Sequence, residues 1–172
     1  NELHLPLMAL ARQLGCAVIY AALVWVVLGY IDPFGQGSIF FLASGFALAA
    51  LLLGGNRYVW GVLLGALGAN LLFGYPLETT VLKSVGSALA AWSGYWLLTR
   101  DGKFDRALPT LQDYLRLLLL GGGVASIVSA VPGTTSLLRA GIIGGDAYLS
   151  AFISWWLGDT LGVMLLAAPC LL

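Results

Sequence analysis

The sequence predicts an all-α integral membrane protein, a polytopic bundle of about six transmembrane helices. Hydrophobic residues make up 60% of the 172 residues and charged residues only 9%, whereas soluble domains have about 45–50% and 25%. Six apolar stretches also approach the length of about 20 residues that a helix needs to cross the hydrocarbon core. These two observations exclude a soluble globular enzyme.

Turn-forming residues divide the chain into six predicted spans, which we treat as one domain over residues 1–172. The spans cover residues 7–30, 38–53, 59–73, 79–99, 111–131 and 147–172. The breakers between them include Asp32-Pro33, Gly54-Gly55-Asn56, Gly74-Tyr75-Pro76 and Pro132-Gly133. The short linker at 54–58 predicts a tight hairpin of the second and third spans, and residues 134–145 are expected to form a short interfacial or re-entrant helix.

Glycine positions predict where helices pack and where they bend. The sixth span is too long to cross the membrane upright, so we expect it to tilt or to break at Gly158. The run Gly121-Gly122-Gly123 predicts a kink or a pocket in the fifth span. Small residues that let helix backbones approach recur on shared faces: Gly61, Gly65 and Ala69; Ser84, Ala88 and Ala91; Gly122, Ser126 and Ala130.

The basic residues predict the orientation, because cytoplasmic loops retain positive charge. With the N-terminus inside, the cytoplasmic side holds Arg12, Arg57, Arg100, Lys103, Arg106 and Arg116. Lys83 and Arg139 then lie on the periplasmic side, and both termini are cytoplasmic. We therefore expect a multi-pass protein of a bacterial inner membrane. The missing initiator Met at Asn1 and the apolar end of the chain predict a domain of a longer protein.

Asp159 is the strongest candidate for a ligand-binding or switching residue. It lies near the middle of the last span, where an ionisable group costs about 2.5–3.5 kcal/mol on insertion scales. It must therefore face the bundle interior, protonated or paired. Either a structural hydrogen bond to a neighbouring helix or a ligand or proton site explains it.

Three further polar residues are predicted near the periplasmic ends of the helices. Asn70, Lys83 and Arg139, with Glu78 nearby, could line an outward-facing polar pocket, although Lys83 could instead extend to the lipid headgroups. Trp155 and Trp156 lie deeper than the aromatic residues that mark membrane interfaces. They either wall a pocket or pack in the core.

The sequence offers no motif for catalysis, a cofactor or a metal. It has one histidine, His4, and two cysteines, Cys16 and Cys170, which we interpret as small core residues. Because the acidic and basic residues balance at eight each, no basic surface is expected to bind nucleic acid. We expect membrane lipids, an unidentified small ligand and an output domain as partners, and a homodimer as the assembly.

Two segments resemble the type-one MASE family of membrane-associated sensor domains. The first, at residues 41–58, reads FLASGFALAALLLGGNRY and continues through Gly61 and Gly65 to Asn70. The second, at residues 155–163, reads WWLGDTLGV and is followed by Ala168-Pro169. Such domains stand at the N-termini of bacterial histidine kinases, diguanylate cyclases and phosphodiesterases. The resemblance implies sensing and signal transmission, with Asp159, Trp156 and Asn70 at motif positions.

Two functions therefore follow from the sequence. The leading hypothesis is a sensory input domain that binds a small ligand or responds to the membrane state, and that regulates a C-terminal cytoplasmic output domain. The alternative is a substrate-binding membrane subunit of a transporter, similar to the vitamin-capture components of energy-coupling-factor systems. A chain that continues beyond Leu172 into a kinase, cyclase or phosphodiesterase domain would favour the sensor.

Overall fold

The computed structural model describes residues 4–31 and 41–172, and within these ranges the chain is helical and contains no β-strand. Among the described residues, three helical stretches are long and apolar enough to cross a membrane: His4–Tyr30, Leu111–Arg139 and Gly145–Leu171. The predicted all-α membrane class is thus confirmed, while the count of six spans stays a prediction. The breakers at 32–37 and the expected start of the second span at residue 38 lie outside the described residues.

Four α-helices lie in the described part of the chain up to Thr99. They are α1 (His4–Val26), which continues as the π-helical segment Val27–Ile31, then α2 (Leu42–Gly54), α3 (Val59–Leu72) and α4 (Leu77–Thr99). A 3₁₀ turn at Asn56–Tyr58 precedes α3. Four of the predicted segments therefore have helical counterparts, with boundaries that differ by a few residues where the structure describes them.

The second half forms two long helices that each contain a π-helical turn. The first comprises α5 (Leu111–Arg116), the π segment Leu117–Val124 and α6 (Ala125–Arg139). The second follows a 3₁₀ turn at Gly145–Ala147 and comprises α7 (Tyr148–Gly162), the π segment Val163–Ala167 and α8 (Ala168–Leu171).

Helices α2 and α3 do not form the predicted tight hairpin. Gly55 has a φ of 95°, a left-handed conformation that favours glycine, and the following 3₁₀ turn directs α3 away from α2. Helix α3 packs chiefly against α1 and α4. A short linker limits the distance between two helix ends but does not determine which neighbours each helix chooses.

The predicted turn at Pro132-Gly133 is wrong, because both residues lie inside α6. The proline ring packs against Gly86 of α4, where an added Cβ would lie 2.7 Å from Pro132 Cγ. Membrane helices tolerate proline when neighbouring helices compensate for the lost hydrogen bond. Residues 134–139 therefore complete α6, and the expected re-entrant helix is absent from residues 134–145, where the chain instead turns at Gly141 with φ 73°.

The predicted break at Gly158 is also wrong, whereas the glycines 121–123, where the sequence predicts a kink or a pocket, lie in the π segment Leu117–Val124. Gly158 lies within regular α7, and its carbonyl accepts a hydrogen bond from Phe41 N at 3.1 Å. The irregular turn begins after Gly162, where the start of α2 approaches most closely. This long helix therefore departs from α geometry next to its close contact with Phe41 and not at Gly158.

Small residues form the closest helix contacts, as expected. On α3, an added Cβ at Gly61 would lie 2.8 Å from Gln13 Oε1, and one at Gly65 would lie 2.5 Å from Ala17 O, so both glycines face α1. The predicted faces of α4 and α6 are likewise buried. Of the two cysteines, Cys16 is buried as predicted, but Cys170 near the end of α8 is exposed.

Candidate functional site

Asp159 lies inside the bundle, with only 4% of its surface exposed. Its carboxylate oxygen Oδ2 accepts a hydrogen bond from Ser129 Oγ of α6. The expectation that Asp159 faces the interior is therefore confirmed by its burial.

The start of α2 is bonded directly to the backbone of α7 around Asp159. Ser44 Oγ lies 2.9 Å from Asp159 O and 2.8 Å from Phe41 O, and it donates to these carbonyls. The two helices can approach closely because Gly162 has no side chain: an added Cβ there would lie 2.0 Å from Phe41 O. This contact positions one backbone against the other next to a buried carboxylate.

A small cavity of about 20 Å³ lies beside Asp159, which is room for about one water molecule. Five helices contribute polar side chains to its lining: Tyr20 of α1, Ser44 of α2, Ser87 of α4, Ser126 of α6 and Asp159 of α7. Tyr20 and Ser87 are hydrogen-bonded to each other. We call these five residues, together with Ser129, the Asp159 cluster.

Irregular backbone borders the same cavity at three points. Phe41 precedes the first turn of α2, Gly121 lies in the π segment of the fifth predicted span, and Val163 begins the π segment after α7. Within a membrane, non-helical backbone is tolerated where protein buries it or where it lines a cavity. Single π-helical turns are frequent at functional sites.

Lys83 of α4 lies in a second buried group, between two aromatic rings. Its Nζ is 3.8 Å from the ring centre of Tyr75 and 5.2 Å from that of Trp155. Only 7% of the Lys83 surface is exposed. Trp155 can approach because it packs on Gly133, where an added Cβ would lie 2.4 Å from the indole ring. Aromatic faces attract a desolvated ammonium by about 2 kcal/mol or more.

The Lys83 group and the Asp159 cluster are consecutive layers of the bundle. Lys83 and Ser87 are four residues apart on α4, as are Trp155 and Asp159 on α7 and Gly133 and Ser129 on α6. Since each helix rises about 1.5 Å per residue, the layers are about 6 Å apart along the axis. The two buried ionisable groups of these layers are therefore stacked in register.

The other three predicted residues contact separate partners. Arg139 Nη2 lies 3.0 Å from Glu78 Oε1 in an ion pair whose side chains are 65% and 58% exposed. Asn70 Nδ2 donates to Ser84 Oγ at 3.2 Å. Trp156 Nε1 donates to Gly123 O, at 2.7 Å, within the π segment 117–124.

Sequence reasoning missed the hydroxyl groups around Asp159, namely Tyr20, Ser44, Ser87, Ser126 and Ser129. A serine in an apolar helix is more often a packing residue than a ligand, so only the fold identifies these ones. In residues 4–31 and 41–172, no group of three or more His, Cys, Asp or Glu side chains could hold a transition metal.

Comparison with known proteins identifies the family. The chain matches the MASE1 family model over residues 9–172. No curated protein and no solved structure matches it. Because the match spans nearly the whole chain, this protein belongs to the MASE1 family of membrane sensor domains.

Proposed function

We propose that this chain is the signal-input domain of a bacterial inner-membrane receptor. It would regulate a C-terminal cytoplasmic output domain, either a histidine kinase or an enzyme of cyclic-di-GMP turnover. The observation that carries the proposal is the Asp159 cluster, in which a buried carboxyl, hydroxyls and irregular backbone meet inside a bundle of sensor-family sequence. Catalysis would reside in the output domain.

The proposed topology has six spans with both termini in the cytoplasm. Its support comes from contacts that gather the basic segments at one end of the bundle. Arg106 Nη1 donates to Leu52 O at 2.8 Å, and Gln13 Nε2 donates to Arg57 O at 2.8 Å. Leu171, close to the end of the chain, packs in the same apolar cluster as Leu52. A cytoplasmic output domain would then follow directly from this basic end.

The proposed signal is a change in packing around Asp159. A stimulus shifts an equilibrium only if it has different affinities for the two states. The contact of α2 with α7 could provide such states, because the bonds of Ser44 and Phe41 join two backbones beside irregular helix. Displacement of α7 would move α8 and the chain that follows it.

We assign the remaining predicted residues to the path by which a signal would pass from the periplasmic surface to the Asp159 cluster. Arg139 lies at the exposed end of this path, and Lys83 and Trp155 form the buried layer next to Asp159. Asn70 is hydrogen-bonded to Ser84, the residue that follows Lys83 on α4. Trp156 connects α7 to the π segment 117–124. A small ligand or a change of membrane state would act along this route.

We also propose that the domain works as a homodimer in direct contact with lipid. Large apolar side chains are exposed on several helices, as a lipid-facing surface requires, among them Leu14, Trp60, Trp92, Leu119 and Leu149. Output domains of this class act as dimers, so the input domain would transmit its change across a two-fold axis.

The test is the output of the full-length protein with Asp159→Asn, compared with Asp159→Ala. Asn preserves shape and most hydrogen bonding but removes the charge, whereas Ala removes both. We expect the Asn variant to accumulate normally and to change its output across stimulus or pH, and the Ala variant to lose stability. Asp146→Asn, which removes an exposed carboxylate, is the matched control. Wild-type output from a normally folded Asp159→Asn protein would refute a role for the charge.

A further inference from the structure

We propose that the cavity beside Asp159 is a binding site for one dehydrated alkali cation, with Na⁺ as the fitting ion. The inference deepens the proposed function, because it names the ligand of the cluster that we assign to switching. It is carried by the juxtaposition of a buried carboxylate, hydroxyl oxygens from neighbouring helices and irregular backbone around one cavity.

A buried carboxyl group must be neutralised, either by a proton or by a cation. The hydrogen bond to the Asp159 carboxylate comes from Ser129, which is a neutral donor. Lys83 lies in the adjacent layer, where its ammonium is held over Tyr75 and Trp155. A cation in the cavity would neutralise Asp159 without moving Lys83 from the aromatic rings.

The groups that line the cavity have the chemistry of a hard-cation site. Ser44, Ser126 and Asp159 line the cavity from three different helices and carry side-chain oxygens. Oxygen ligands suit hard cations rather than transition metals. One carboxylate balances one positive charge. A divalent ion would leave a net buried charge, so the site favours a monovalent ion.

The volume agrees with a single small ion. The cavity of about 20 Å³ has room for about one water molecule, and therefore for one ion stripped of most of its hydration shell. An organic ligand of ordinary size needs several hundred Å³. The cavity is therefore too small for a metabolite but large enough for a small ion.

The backbone around the cavity can supply further ligands. Phe41 precedes α2, and Gly121 and Val163 lie in the two π segments. A π turn shifts the hydrogen-bonding pattern of a helix and so changes which carbonyls lack an intrahelical partner. In membrane transporters, unwound carbonyls of this kind coordinate Na⁺ together with side-chain oxygens.

Protonation of Asp159 alone would not require these surroundings. A protonated carboxyl has one O–H to donate, and a single acceptor would satisfy it. The Ser44 hydroxyl bridges two carbonyls in either case, but the cavity and Ser126 beside it would then have no part in neutralising Asp159. An ion that must replace several water oxygens accounts for all of them.

The experiment measures the thermal midpoint of the protein in lipid nanodiscs as NaCl replaces choline chloride at constant ionic strength and pH. Because a ligand that binds only the folded state stabilises it by mass action, we expect the midpoint to rise with Na⁺ and not with choline. Asp159→Asn should abolish the Na⁺-dependent rise. Ser126→Ala should weaken the apparent Na⁺ affinity by about tenfold or more.

Ser136→Ala is the matched control for Ser126→Ala. Ser136 is also buried on α6, but its hydroxyl donates to Gly133 O of its own helix and it does not line the cavity. This variant should retain the wild-type Na⁺ response. If Asp159→Asn does not fold, comparison of Ser126→Ala with Ser136→Ala still shows whether the Na⁺-dependent rise of the thermal midpoint depends on the cavity.

Two results would overturn the cation site. One is a wild-type midpoint that changes equally in NaCl and choline chloride, and the other is a midpoint that depends on pH alone. The second result would identify a proton as the neutralising species. Either result leaves the proposed sensory function intact if Asp159→Asn still alters the output of the full-length protein, so the two failures are distinguishable.

Discussion

Two helix contacts in this bundle depend on glycine, but their surroundings differ. In the α1–α3 contact, Gly65 faces the backbone of Ala17, and in the α2–α7 contact, Gly162 faces the backbone of Phe41. The α1–α3 contact joins regular helices in an apolar cluster that includes Cys16 and Val62. The α2–α7 contact borders a polar cavity and a π-helical segment.

The different surroundings indicate which of the two contacts only packs helices together and which one could switch. Both contacts bring two backbones together, so glycine spacing alone does not distinguish them. Of these two contacts, the α2–α7 contact is the one with a buried carboxylate and with a π-helical segment next to it. We infer that the α1–α3 contact holds the bundle together and that the α2–α7 contact responds to the stimulus.

The largest expected effect is that of Gly162→Ala in the α2–α7 contact. The added Cβ would meet backbone atoms of Phe41, which cannot rotate away, so we expect a loss of about 3 kcal/mol, or roughly 6–12 °C in the thermal midpoint in detergent. Gly68→Ala is the control, because nothing lies within 4 Å of its Cβ position on α3. A Gly162→Ala protein as stable as the control would show that the two backbones separate readily.

An intermediate effect is expected when Gly65→Ala is compared with Gly122→Ala. At Gly65 the new Cβ would lie 2.5 Å from the backbone oxygen of Ala17, whereas at Gly122 the nearest atom is Thr160 Cγ2 at 3.3 Å. Gly65→Ala should cost about 1–3 kcal/mol, and Gly122→Ala less than about 1 kcal/mol. Leucine should be worse than alanine at both positions. Thermal unfolding of the four variants measures this, and equal values for the two alanine variants would contradict it.

A similarly small effect is expected of Ser44→Ala, which removes the hydroxyl that bridges α2 and α7. Both acceptor carbonyls keep a backbone donor, Ser44 N for Phe41 and Val163 N for Asp159. The loss should therefore be about 1 kcal/mol, or roughly 2–4 °C. Ser150→Ala is the control, because the exposed Ser150 hydroxyl bonds only within its own segment. A Ser44 variant that matches this control would mean that the bridge does not stabilise the contact.

Several features were predictable because they depend on local composition. Long apolar stretches identify membrane helices whatever their neighbours are, and Gly54-Gly55 and Gly74-Tyr75-Pro76 do separate helices. A lone carboxylate in an apolar helix must face the interior, since lipid cannot solvate it, so Asp159 could be chosen without a structure. The glycine run at 121–123 lowers helix stability by itself, and the helix is indeed irregular there.

Other features depended on contacts that the sequence does not contain. Pro132 is compatible with a helix because Gly86 leaves room for its ring. The helix that contains α7 becomes irregular after Gly162, where Phe41 leaves no room for a side chain, and not at Gly158. The hydroxyls of Tyr20, Ser44, Ser87, Ser126 and Ser129 come from four helices, and each is unremarkable in its own helix. Burial, by contrast, is a property of a single side chain and its solvent. The amino-acid sequence therefore determined that Asp159 had to be buried, and the tertiary structure alone decided which groups surround it, because convergence on a cavity depends on how the helices pack.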